Sequence, residues 1–156
     1  MRFILILALG LCVLAPPARA GAFSFLDTGR ATQSGPHELY VTPDRDGIYY
    51  IFADVNGARV RFVIDTGSDD VVLTRKDAQR AGIDIAALKF SEDYDAASGS
   101  GVEADTMVQR ITLGPLSVSN LPVSVEEDGG ASLLGMSFLH RLKSVEIRDN
   151  RLYLRW

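Results

Sequence analysis

From His37 onward, apolar and polar residues alternate with a period of two, the pattern of strands that bury one face. In "GIYYIFADV", Tyr49, Ile51, Ala53 and Val55 fall on one side, and in "ARVRFVID", Val60, Phe62 and Ile64 oppose Arg59 and Arg61. Asn56-Gly57 between them accepts the positive φ angles of a type I′ turn, so the two runs predict a hairpin. "VVLT" (71–74) is a second short buried strand. Thr74, followed by Asp77 and then Gly82, brackets a helix of about two turns in "RKDAQRAG".

"FSEDYDAASGSGVEADTMVQRI" predicts two strands around a Gly/Ser tip at Ser98, Gly99, Ser100 and Gly101, with an ordinary loop as the plainer alternative. "ITLGPLSVSNLPVSV" predicts strand, turn at Gly114-Pro115, and strand, and the acidic run "EEDGGA" is a solvated loop. The last stretch, "SLLGMSFLHRLKSVEIRDNRLYLRW", runs from a short apolar strand through a helix starting near Met136 to a hairpin turned at Asp149-Asn150. Many short strands and one or two short helices give an all-β, barrel-like class.

The first twenty residues follow a different logic. Arg2 precedes an apolar run from Phe3 to Ala15, Pro16-Pro17 breaks it, and Ala18-Arg19-Ala20 is a small-x-small site, which together read as a secretory signal cleaved after Ala20. The run is shorter than the roughly 20 apolar residues of a membrane-spanning helix, so no stable membrane anchor is expected after cleavage. Residues 21–36 show no sustained period and read as a flexible tail or linker, leaving 37–156 as one domain. Removing residues 1–20 takes away Arg2, Arg19 and the single cysteine, Cys12, and moves the formal charge from -4 to -6. An acidic chain with no basic cluster argues against nucleic-acid binding. Without a mature cysteine or paired histidines the sequence offers no zinc or redox centre, and no nucleophile-elbow pattern accompanies His37 or His140.

One tripeptide does carry chemistry, and it occurs twice: Asp27-Thr28-Gly29 and Asp65-Thr66-Gly67. Carboxylate-driven hydrolysis needs two carboxyls sharing one proton, one ionised to activate water and one protonated to polarise the carbonyl; close approach of like charges forces the two titrations apart, as is established for aspartic proteases as a class. Glycine permits the tight turn, and the threonine hydroxyl can bond across to a neighbouring backbone. Asp65 ends a well-specified inner strand, whereas no apolar strand follows Asp27, which reads as a turn residue. For Asp65 itself the plainer reading is a turn residue closing a hairpin, and for Asp69 and Asp70 solvated loop acids.

"FVIDTGSDDVVLT" resembles the active-site segment of the retropepsins, the retroviral-type aspartic proteases, and "SLLGMSFL" resembles their apolar-apolar-Gly segment, here Leu133-Leu134-Gly135. The Gly/Ser tip falls between the two, where that family has its flap. The resemblance covers roughly residues 48–156 and is nearest to the exported bacterial branch. It implies a closed β-barrel subunit, half of a two-fold symmetric homodimer, with Asp65, Thr66 and Gly67 catalytic. It also implies Asp69, Ser98, Gly99, Ser100 and Gly101 against substrate, and Leu133, Leu134 and Gly135 as a structural second motif. Pepsin-like chains place one Asp-Thr-Gly in each of two lobes, but the segment between Asp27 and Asp65 is too short for a lobe, so a dyad takes one Asp65 from each of two chains.

The implied activity is an aspartic endopeptidase acting on an extended polypeptide in the periplasm or outside the cell, with no cofactor and no metal. Terminal strands interleave in the related dimers, so "RLYLRW" is expected at the interface. Retroviral members carry Arg at the position of Met136, pairing with the residue that corresponds to Asp69, so Asp69 is expected to find another partner or face substrate. A hydroxyl at Ser68 can donate to the outer oxygen of Asp65 and lower the apparent pKa of the pair; the alternative is a bond to backbone. Two other classes remain open: a non-enzymatic peptide-binding module on the same fold, and a monomeric β-barrel binding a small ligand.

Overall fold

The structure, a computed structural model, describes residues 31–96 and 99–156. Its strands are β1 (Ala31–Gly35), β2 (Glu38–Val41), β3 (Tyr50–Val55), β4 (Ala58–Ile64), β5 (Val71–Thr74), β6 (Glu92–Ala96), β7 (Gly99–Leu113), β8 (Leu116–Glu126), β9 (Ser132–Leu134), β10 (Ser144–Arg148) and β11 (Arg151–Arg155). Two short helices, α1 (Arg75–Arg80) and α2 (Met136–Leu139), accompany them.

The β3–β4 hairpin forms as the alternation predicts. Ile51, Ala53, Val55, Val60, Phe62 and Ile64 are all buried, and Asn56 (φ 50°) with Gly57 (φ 87°) makes the two-residue turn in which both positions have positive φ. Asn56 does more than turn the chain. Its Oδ1 accepts from Gln109 N (2.9 Å) and Arg110 N (3.1 Å), and its Nδ2 donates to Ala81 O (3.1 Å), so the hairpin tip is tied to β7 and to the end of α1. Thr74 caps α1 by accepting from Asp77 N at 3.2 Å, as its sequence position predicts.

Seven strands form one sheet in the order β3-β4-β9-β5-β8-β7-β6, and a further β3–β7 pairing at Val55↔Ile111 closes it into a barrel. β9 is the element that makes this closure specific. It lies parallel to β4 (Phe62↔Ser132, Ile64↔Leu134) and contacts β5 antiparallel at Val72↔Leu133, so it is wedged between the two strands that flank Asp65-Thr66-Gly67. Ser132, buried at the head of β9, donates to Asp77 Oδ2 (2.7 Å) and accepts from Thr74 N (3.1 Å), which fixes β9 against the start of α1.

A second sheet, β1-β2-β11-β10, shares its core with the barrel: Leu39, Val41, Leu152 and Leu154 pack in the same cluster as Phe62, Leu73 and Phe138. Each such fully buried aliphatic or aromatic side chain contributes about 1.5–3 kcal/mol relative to exposure. Two expectations change here. Ala31–Gly35, read as part of a tail, is a strand paired with β2 at Ala31↔Val41 and Thr32↔Tyr40, so the ordered sheet begins before residue 37. The segment lacks alternation because three of its five residues, Thr32, Gln33 and Ser34, are exposed, and partner pairing rather than amphipathic pattern holds it. The C-terminal strand β11, expected to interleave with a partner, is paired on both sides within its own chain, by β2 and by β10.

Candidate active site

Asp65 follows β4 directly. Its N–H donates to Leu134 O (3.2 Å), which anchors the aspartate to β9, and its Oδ1 accepts from Gly67 N (2.8 Å), which folds the carboxylate back over the turn. Gly67 is tight against that oxygen: a Cβ at this position would lie 3.2 Å from Asp65 Oδ1. Asp65 is half-buried, and Thr66 and Gly67 are exposed.

The second motif holds the turn from beneath. Met136 N donates to Ser68 O (2.8 Å), Ser137 N to Asp69 O (2.7 Å), and Val71 N to Ser137 Oγ (2.9 Å). These bonds bring Gly135 so close that a Cβ there would stand 2.0 Å from Asp70 O and 2.7 Å from Ser68 O. Glycine is required at 135 by backbone contact, since its φ of -89° suits any residue. Leu133, Leu134 and Gly135 therefore lie beside the Asp65 loop, with β9 paired to β4 and β5 on either side of it.

Above the loop, β6 and β7 form a hairpin in register Tyr94↔Gly101, Glu92↔Glu103. The Tyr94 ring covers Gly101, where a Cβ would meet the phenol oxygen at 2.7 Å. Gly99, Ser100 and Gly101 lie on the outgoing strand of this hairpin, and Ser98 lies outside the described residues, as does Asp27. Between hairpin and loop is a cavity of about 480 Å³ lined by Asp65, Gly67, Ser68, Asp69 and Asp70 below, Val72 and Leu133 at the wall, and Tyr94, Glu103 and Glu126 above. Asp69 is exposed and lines the cavity, with only its backbone carbonyl engaged by the segment that carries Met136.

Ser68 departs from expectation. Its hydroxyl donates to Asp70 O (2.9 Å), so its proton is committed to a backbone carbonyl and is not donated to Asp65. Backbone bonding wins because the loop bends Asp70 O back within reach two residues away.

Tyr94, Glu103 and Glu126 were not singled out in the sequence. Their signal is the register around the tip, which sets Glu103 directly between Glu92 and Glu126 on neighbouring strands. Burial, then the charges of Asp105, Glu126 and Asp70, raise the Glu103 carboxyl above its ordinary value. Burial raises Glu126, and burial followed by Asp105 and Asp69 raises Asp70. The cleft around Asp65 is thus strongly acidic, and some of its carboxyls hold protons more tightly than free ones do.

Residues 51–141, more than half of the chain, match the family described as "gag-polyprotein putative aspartyl protease". A Sinorhizobium sp. protein, "Uncharacterized protein in cobV 5'region", is 35% identical over 133 residues, covering 81% of this chain and 57% of that protein. "Uncharacterized protein RP867" of Rickettsia prowazekii is 32% identical over 127 residues, covering 76% of this chain and 52% of that protein. The chain thus spans a little over half the length of these curated relatives. Among solved structures, a retropepsin-like aspartic protease from Rickettsia conorii superposes with a TM-score of 0.69 at 36% identity, over 76% of this chain and 90% of that one. The EIAV protease complexed with the inhibitor HBY-793 gives a TM-score of 0.56 at 18% identity, over 69% of this chain and 100% of that one, a likeness of fold.

Proposed function

The chain belongs to the retropepsin-like aspartic protease family, and on that premise we propose that it is an aspartic endopeptidase whose dyad is completed by a second copy. The observation that carries this reading is the Asp65-Thr66-Gly67 turn, stitched by β9 and the start of α2 and opening into a cavity roofed by a β-hairpin. Each chain supplies one such turn among the described residues, and the chemistry needs two carboxyls.

In the proposed reaction, water is held between Asp65 of each copy. The ionised carboxyl takes a proton from the water as it attacks the scissile carbonyl, and the protonated one gives its proton to the carbonyl oxygen. Collapse of the tetrahedral intermediate returns a proton to the leaving nitrogen, so the pair ends with one proton as it began. The titration belongs to the pair and not to either residue. Substrate would enter extended: β6 ends the order of its sheet, so among the described residues its outer main chain is available to pair with a polypeptide. The pattern of residues 2–20 supports export, with the enzyme acting in the periplasm or as a secreted protein.

Incubation with an unfolded test protein, with and without a statine-type transition-state mimic, tests this. The wild type should cleave and be inhibited. Asp65→Asn, which keeps the shape of the turn but cannot share a proton, should not cleave, and undiminished cleavage by that variant would remove the proposed chemistry.

A further inference from the structure

Five carboxyls line the cleft over the Asp65 turn, those of Asp65, Asp69, Asp70, Glu103 and Glu126, and among the described residues no lysine, arginine or histidine lines it. Acids elsewhere on the molecule are compensated: Arg61 pairs with Asp44, Arg75 with Glu127, Arg80 with Asp77, and Arg155 with both Glu38 and Glu146. Asp70, Glu103 and Glu126 have no ion pair among the described residues. Glu103 nevertheless stands directly opposite Glu126 on β8 and Glu92 on β6, a like-charge arrangement that works against folding. Arg75 cannot relieve it without leaving Glu127 (3.0 Å) and the Phe90 ring (4.9 Å).

Tyr94 points the same way, independently of the acids. Tyr40, Tyr50 and Tyr153 each carry a guanidinium over the ring, whereas among the described residues the Tyr94 ring in the roof of the cleft carries none. An aromatic face beside carboxylates holds a cation by the ring quadrupole and by charge-assisted hydrogen bonds together. We propose that Asp70, Glu103, Glu126 and Tyr94 form a subsite that takes a lysine or arginine side chain of the polypeptide, so that the enzyme selects basic segments. The inference rests on the protease reading of Asp65, because it names the substrate class of that same site.

A long basic side chain suits the cleft better than the other occupants. At about 480 Å³ the space is that of a small-ligand pocket, and Val72 and Leu133 in its wall offer apolar surface to a methylene stem whose charged end reaches the acids. Among the described residues no three acids converge as the ligands of a metal ion would, which disfavours a bare cation. An acidic segment would add negative charge to carboxyls that already repel one another, and a neutral one would leave that repulsion in place.

Binding to the full chain carrying Asp65→Asn reads the subsite apart from the chemistry. Fluorescent peptides that differ only at one position, scanned along the peptide with lysine, its neutral analogue norleucine, or glutamate, are followed by anisotropy. At one position lysine should bind about tenfold or more tighter than norleucine, and glutamate weakest. Adding Glu103→Gln and Glu126→Gln, which keep shape and remove charge, should erase most of that ratio. Glu127→Gln, one residue along and paired with Arg75 instead of lining the cleft, should leave it as it was. Equal or absent binding of the lysine and norleucine peptides at every position overturns the proposal, as does a ratio that survives the double substitution.

The same peptides given to the chain with Asp65 intact separate this inference from the reading beneath it. Cleavage that favours lysine over norleucine at the position found by binding supports both. Cleavage without any such preference overturns the basic subsite and leaves the protease standing. A lysine preference in binding with no cleavage of any peptide sinks the protease reading, while the subsite stands as one that recognises basic polypeptide.

Discussion

Replacing Gly135 by alanine should be far more damaging than its backbone conformation suggests. At a φ of -89° alanine is unstrained, and Gly→Ala at such positions ordinarily stabilises by about 0.4–1 kcal/mol through the unfolded chain. Here the added carbon would stand 2.0 Å from Asp70 O, 2.7 Å from Asp70 C and 2.7 Å from Ser68 O, against a preferred separation of roughly 3.5 Å. All three obstacles are backbone, so relief requires the loop and the start of α2 to part by about 1.5 Å. That movement lengthens the bonds from Met136 N to Ser68 O (2.8 Å) and from Ser137 N to Asp69 O (2.7 Å) beyond useful geometry. Overpacking costs about 1–3 kcal/mol and two backbone hydrogen bonds about 0.5–1.5 kcal/mol each, so a loss of about 3 kcal/mol or more is expected. For a domain of this size that lowers Tm by about 10 °C. Circular dichroism melts of Gly135→Ala beside Gly130→Ala, where no heavy atom lies within 4 Å of the new carbon, measure the difference. Gly130→Ala should stay within about 0.5 kcal/mol of the wild type. If the proposed function holds, cleavage by Gly135→Ala should also fall at least tenfold at temperatures where it is folded, because a shift of about 1.5 Å at the turn that carries Asp65 is costly. A Gly135→Ala protein that melts within 2 °C of the wild type (about 0.5 kcal/mol) would refute the steric reasoning.

Asn56→Ala should destabilise by about 2–4 kcal/mol, losing three side-chain hydrogen bonds and holding alanine at a φ of 50°, while Asn56→Gly loses only the bonds. Urea unfolding that finds the two variants equal would show that the turn geometry contributes nothing. Glu103→Gln removes a like charge placed directly opposite both Glu92 and Glu126, each pairing costing about 0.2–1 kcal/mol, so it should stabilise at neutral pH. The sign with pH follows from the raised carboxyl: the folded state binds the proton more tightly, so wild-type stability falls as pH rises from the unfolded value of about 4.3 through the raised folded value. The gain in Glu103→Gln should accordingly vanish below pH 4 (about the unfolded value), and a gain that persists there would refute an electrostatic origin.

Much of this molecule is legible in one dimension because its causes are local. Alternation in residues 49–55 and 58–64, the Asn-Gly turn, the Thr74 cap and the Asp149-Asn150 turn depend on side-chain period and on which residues tolerate positive φ, and all appear where the pattern puts them. The Asp65-Thr66-Gly67 turn is readable for the same reason, whereas the pairing of that turn with Leu133-Leu134-Gly135 is implied only by the resemblance to the retropepsins.

What the sequence could not decide depends on which distant segments meet. Ala31–Gly35 carries no strand pattern, and it becomes a strand because β2 offers a free edge to pair with. Ser68 could have bonded the carboxylate or the backbone; the bend of the loop brings Asp70 O to its hydroxyl and settles the choice. The acids of the cleft come from two strands, β7 and β8, and the Asp65 loop, separated by up to 61 positions in the chain, so their mutual repulsion exists only once the barrel has closed. The same holds for β11. Its apolar residues are evident in "RLYLRW", but only the fold shows that Leu152 and Leu154 are buried in their own chain's core, because hydrogen-bonding edges are a property of the sheet and not of the strand.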